Sequence, residues 1–280
     1  RAGRSGGRDR VGHGDAVLNL DVQPSKDPVG PFMKVDLTDL GEVLDAMDRA
    51  NRKDSPFRPF AKPDAIVHLA ALPAPELQSD IVTFKNNMIS TYVMFDAAVR
   101  LGVKRVVWAS SETTLGLPMT PADPPAYLPV DEEHPMRPNS TYSLTKDLGE
   151  EMARQFARWN PDMSFIGLRL SNVMEPHDYA NFKTWQDDAS KRQWNAWGYI
   201  DARDSAQAVR KSLEVDFAGA DHFIIANADG VMIRPNAELI AEVFPTVELR
   251  KQVSDHETLL SIDKAPRIPG YEPVHSWRNE

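Results

Sequence analysis

A doubly wound α/β fold, with a parallel sheet covered by helices on both faces, is what this sequence predicts. Short β-branched runs alternate with longer amphipathic ones along most of the chain, the pattern of repeated βαβ units. A strand-like run ending in serine, Val103–Ser111, is followed by a helical stretch that carries Tyr142 and Lys146 four residues apart. The proline-rich stretches fall between the periodic segments, where they break neither a helix interior nor a central strand.

Taken in order, residues 1–15 are basic and glycine-rich without apolar periodicity, and are expected to be irregular or disordered. Strands are expected at Ala16–Val22, Phe32–Val35, Ala65–Leu69, Arg105–Ser110, Ser164–Leu170 and His222–Ile225, each a short run rich in β-branched or other apolar residues. Helices are expected near Leu40–Asn51, Ile81–Leu101, Tyr142–Trp159, Asp204–Val215 and Asn236–Val243, the longer amphipathic segments between them. Right-handed crossovers then wind the sheet on both faces. Asn51–Pro63 reads as a surface excursion, and Pro118–Pro138 as a wall over the site, because neither can be a regular helix or a central strand. Residues 16–170 make the sheet domain. Residues 171–280, with a looser pattern and the tryptophans Trp185, Trp194 and Trp197, read as a smaller substrate lobe interleaved with it.

With 280 residues, 41% hydrophobic and 26% charged, the chain can bury a substantial core. A net charge of -9 without a basic stripe argues against a nucleic-acid partner. The absence of cysteine excludes disulfides, thiolate metal sites and a cysteine nucleophile, and no histidine or carboxylate spacing suggests a metal site. Apolar runs such as Ala65–Val67 and Phe223–Ala226 fall far short of the roughly 20 residues that span a bilayer. No membrane role and a cytoplasmic setting are the expectation.

Residues four apart on a helix share a face, so Tyr142 and Lys146 point into one place beside the hydroxyl of Ser111. A phenol with an ordinary pKa near ~10 is a poor base at neutral pH. A nearby ammonium favours phenolate, and a serine hydroxyl holds the substrate oxygen, so the trio suits proton removal from an alcohol while a hydride leaves its carbon. Asp21, near the end of the first expected strand, either caps a turn or offers a carboxylate to a diol donor. His68, mid-strand among apolar neighbours, is expected to be a satisfied core histidine.

On these residues the chain resembles the extended short-chain dehydrogenase/reductase superfamily, in its NAD-dependent epimerase/dehydratase branch. The likeness runs from about Asn19 to Tyr271, through Asn19-Leu-Asp21, Asp36-Leu37, Ile66–Ala71, Asn86–Thr91, Leu168–Val173 and Trp197–Asp204. The resemblance implies a Rossmann-like NAD-binding domain at 16–170 and a catalytic set of Ser111, Tyr142 and Lys146. It places cofactor contacts at Asp21, Asp36, Leu37, Leu69, Ala70, Ala71, Asn87, Ser110, Tyr142 and Lys146, with Asp21 favouring NAD over NADP. Substrate contacts are expected at Ser111, Glu112, Asn172 and Arg234, and a homodimer built on the two long helices.

One part of the likeness fails. The first strand and the glycine-rich turn that hold a pyrophosphate are not recognisable ahead of Asp21, since Gly3–Gly14 follow no apolar strand and lack the spacing. These 280 residues are therefore expected to bind NAD weakly or not at all. In function the resemblance implies hydride transfer at a secondary alcohol of a sugar or nucleotide-sugar. A uronate-dehydrogenase-like enzyme acting on a uronic acid or related sugar stays open, as does an inactive dinucleotide-binding relative. Glu112-Thr-Thr after Ser111 offers a single carboxylate, which argues against dehydration. Trp197-Gly-Tyr-Ile has no arginine where epimerases commonly hold a diphosphate.

Overall fold

The computed structural model describes residues 2–26, 28–49 and 63–280. The helices are α1 (Ala2–Gly12), α2 (Leu40–Arg49), α3 (Asp80–Leu101), α4 (Thr141–Trp159), α5 (Ala202–Glu214) and α6 (Asn236–Val243). The strands are β1 (Asn19–Asp21), β2 (Phe32–Lys34), β3 (Ala65–His68), β4 (Arg105–Ser111), β5 (Tyr127–Leu128), β6 (Ser164–Leu170), β7 (Val173–Met174), β8 (Ile200–Asp201), β9 (Gly219–Ile225) and β10 (Glu248–Leu249).

A four-stranded parallel sheet runs in the order β3-β4-β6-β9, and β1 pairs with β2, also in parallel, as a separate block. Among the described residues no strand bridges β1 and β3, and Val67 in the middle of β3 is 39% exposed. One face of the sheet packs on α2, α3 and α4 through Phe95, Phe156 and Phe165, whose rings meet edge to face or tilted. The other face buries Val107, Ile166, Leu168 and Phe223 against α5 and Tyr271. A third apolar cluster joins 115–130 to the C-terminal lobe through Leu128, Phe182, Trp197 and Leu260.

The start of the chain differs from expectation. Residues Ala2–Gly12 form a helix packed on α5, not an irregular segment. Arg10 pairs with Glu214, and Arg210 with Asp9 at 3.2 Å, so charge across the helix pair does what an apolar stripe normally does. That is why apolar periodicity missed it. The first strand is also shorter than Ala16–Val22, while β6 and α6 have the expected bounds. Residues 51–62 of the excursion expected at Asn51–Pro63, and the end of the helix expected to reach Asn51, lie outside the described residues. Pro118–Pro138 includes the two-residue strand β5, which pairs with β10, and it contributes Met119, Leu128 and Val130 to the third cluster.

Two glycines set α4 against the sheet. A Cβ on Gly149 would lie 3.0 Å from the Trp108 indole, and one on Gly167 would lie 3.2 Å from it, so the β4 indole fits only because both positions are bare. At the start of α4, Ser140 and Ser143 form a capping box in which each side chain meets the other's backbone N–H. The seating and the cap together fix the first turn of α4, which carries Tyr142.

Candidate active site

The site is assembled where β4 ends and α4 begins. Ser111 closes β4 and caps a short 3₁₀ turn, its Oγ accepting from the Thr113 backbone N–H at 3.2 Å and the Thr113 hydroxyl at 3.0 Å. Its hydroxyl also acts on the Tyr142 phenol, favouring the ionised form. One turn further along α4, the Lys146 ammonium donates to the Ala109 carbonyl at 2.7 Å and lies 5.6 Å from the centre of the Tyr142 ring. All three side chains are buried. The structure thus brings Ser111, Tyr142 and Lys146 together as the spacing predicted.

Their electrostatics differ from the expectation. Burial raises the Tyr142 pKa, the Ser111 hydroxyl opposes that, and the Glu112 carboxylate adds to the rise. Burial also pushes the Lys146 ammonium down to about 8. Both shifts come chiefly from taking the two groups out of water. His68 is not fully satisfied either. Its Nε2 meets the Thr91 hydroxyl at 3.4 Å, its buried Nδ1 has no partner, and burial followed by the charge of Lys146 lowers its pKa to about 3.

Asn87 ties the loop after β3 to α4. It accepts from the Leu72 N–H at 2.8 Å, donates to the Leu72 carbonyl at 3.2 Å and reaches Thr145, the neighbour of Lys146, at 3.4 Å. The Ser110 hydroxyl donates to Glu150 at 2.6 Å. Glu150 also takes two hydrogen bonds from Arg169, each 2.9 Å, and lies 3.4 Å from His222. Burial alone would raise the Glu150 pKa, but the Arg169 bonds and charge bring it below the ordinary value.

At the far end, Asp21 closes β1 and accepts from the Gln23 N–H at 3.1 Å. Asp36 follows β2 and accepts from the Thr38 hydroxyl at 2.7 Å and the Thr38 N–H at 2.9 Å, which lower its pKa. Leu37 is buried beside it, and Leu69, Ala70 and Ala71 leave β3 half-buried. Against NAD, the residues present fit at both ends: paired carboxylates stand at the carboxyl ends of β1 and β2, and a buried lysine, tyrosine and serine stand at the end of β4. A glycine-rich turn following a strand is not found among the described residues.

Glu112 is buried beside Ser111. It accepts from Ser171 at 2.7 Å and from Asn195 at 3.3 Å, and burial pushes its carboxyl up to about 7 against the pull of those bonds and of Arg192. Asn172 is 3.5 Å from the Arg192 guanidinium. The Arg234 guanidinium forms surface ion pairs with Glu238 and Glu242 on α6. Sequence reasoning missed Arg192, Asn195 and Glu150, which sit in no family motif. The nearest signal was the cluster of tryptophans around Arg192.

The model of the NAD dependent epimerase/dehydratase family matches residues 11–226. The chain belongs to that family and is an NAD-dependent enzyme of the short-chain dehydrogenase/reductase type. It is 31% identical over 201 residues to the NAD-dependent glucose-6-phosphate dehydrogenase of Haloferax volcanii, covering 66% of this chain and 71% of that protein. It is 28% identical over 172 residues to a uronate dehydrogenase of Pseudomonas syringae pv. tomato, covering 60% of this chain and 55% of that one. The fold matches the UDP-glucose 4-epimerase of Bifidobacterium longum, solved with NAD+ and UDP, with a TM-score of 0.70 and 16% identity over 99% of this chain and 91% of that one.

Proposed function

We propose that this protein is an NAD-dependent sugar dehydrogenase, which oxidises a hydroxyl of a small sugar or sugar acid and releases reduced cofactor. NAD supplies the hydride acceptor. The protein's part is to hold the substrate hydroxyl between Ser111 and Tyr142 and to take its proton on the Tyr142 oxygen, with the charge of Lys146 stabilising the phenolate that forms. Asn87 keeps the loop after β3 at a fixed distance from Lys146.

The observation that carries this reading over nucleotide-sugar chemistry is Trp197. Where epimerases commonly place an arginine for the diphosphate, the Trp197 indole is buried against Phe244 with its N–H on the Ala189 carbonyl at 2.8 Å. Neither the epimerase relatives nor the family description disfavours a second reading, an epimerase that returns the hydride. Absorbance of reduced nicotinamide across a panel of hexoses, uronic acids and UDP-sugars separates the two. Accumulation with a free sugar supports the dehydrogenase. Interconversion of a UDP-sugar without accumulation would replace it.

The same proposal includes a cytoplasmic location and a homodimer. Ile81, Ile89 and Tyr92 on α3, with Leu144 and Leu148 on α4, present an exposed apolar face suited to a second copy.

A further inference from the structure

Arg192 is 5% exposed, yet no carboxylate stands within ion-pair distance of its guanidinium among the described residues. Its partners are neutral oxygens: the Gly198 carbonyl at 2.8 Å, Asn195 Oδ1 at 3.4 Å and Asn172 Oδ1 at 3.5 Å. Its Nε has no partner. Trp185 and Trp194 cover it, their ring centres 4.6 and 5.0 Å from the guanidinium carbon. Guanidinium stays charged in proteins, and a buried charge is normally paired. Here the Glu112 carboxyl acts on Arg192 only from beyond ion-pair distance, and the guanidinium is left with dipoles, ring faces and a donor to spare.

Its position relates it to the catalytic group. Asn195, which touches Arg192, also donates to Glu112, the residue after Ser111. Asn172, on its other side, follows Ser171, which donates to Glu112 as well. A ring of side chains thus runs from Arg192 to the turn that carries the catalytic serine. We propose that Arg192 binds an oxyanion carried by the sugar substrate, a carboxylate or a phosphate monoester, and thereby selects anionic sugars. The inference rests on the sugar-dehydrogenase reading above and deepens it by naming the substrate class. The planar fork of Arg192 suits two oxygens of such a group, and Asn172 orients the fork.

The test compares the wild-type protein with Arg192→Gln and Arg192→Lys, using glucuronate, glucose 6-phosphate and glucose as probes and following reduced nicotinamide. The wild type is expected to prefer one anionic sugar over glucose, and which of the two identifies carboxylate or phosphate. Arg192→Gln should raise KM for that sugar about 10- to 100-fold more than for glucose, the range for losing hydrogen bonds to a charged group. Arg192→Lys should fall between, and it stands in if the glutamine variant does not fold. Equal losses on charged and neutral sugars, or no preference for an anion in the wild type, would overturn the inference. If no sugar is oxidised, the dehydrogenase reading fails separately. Calorimetric titration of glucuronate and glucose 6-phosphate still decides the role of Arg192: binding that the variants weaken supports it, and binding that is absent, or unchanged by the substitutions, overturns it.

Discussion

Glu112→Gln gives a pH signature whose size follows from the site. The carboxyl is buried beside Ser111, with its pKa raised from the ordinary 4.5 to about 7. Between those values the native protein keeps a proton that the unfolded chain has lost, so native stability falls as pH rises through that window. At about 1.4 kcal/mol per pH unit, the ionised carboxylate costs the native state about 3 kcal/mol once the pH exceeds its folded pKa. An uncharged amide of the same shape keeps most of the hydrogen-bonding geometry and removes that cost. The assay is urea unfolding of both proteins at a series of pH values, read as the difference in stability. That difference should move in favour of Glu112→Gln by about 3 kcal/mol from about pH 4 to about pH 8, most of it between the two pKa values. A difference that stays flat with pH, or that favours the wild type more strongly at the alkaline end, would refute the reasoning.

Further outcomes follow from the same structure. Glu150→Ala strands Arg169, which is only 1% exposed, and should cost about 3–5 kcal/mol in denaturant unfolding. The double variant Glu150→Leu/Arg169→Met should recover most of that loss, and additive losses would contradict the pairing. Gly149→Ala puts a Cβ 3.0 Å from the Trp108 ring and should destabilise by about 1–3 kcal/mol; an unchanged melting temperature would show that the indole moves freely.

The sheet and the catalytic group were legible in the sequence for one physical reason. Buried parallel strands such as Arg105–Ser111 and Ser164–Leu170 are near-continuous apolar runs, and a helix repeat turns the spacing of Tyr142 and Lys146 into a shared face. What stayed hidden depends on partners distant in sequence. The helix at Ala2–Gly12 is held by charges on α5, and the isolation of Arg192 is visible only once the residues around it have been brought together. The spacing reports that Lys146 is near Tyr142, whereas the burial of both side chains shows only in the folded chain. Arg234 was chosen for its charge alone, and its ion pairs with Glu238 and Glu242 occupy that charge.

The central claim is that the Tyr142 oxygen exchanges the proton of the substrate hydroxyl. Steady-state turnover of Tyr142→Phe at saturating NAD, with the best sugar from the panel, tests it most directly. Loss of turnover by about 10²- to 10⁴-fold, with sugar affinity little changed, is the predicted result. Turnover close to that of the wild type would contradict the account.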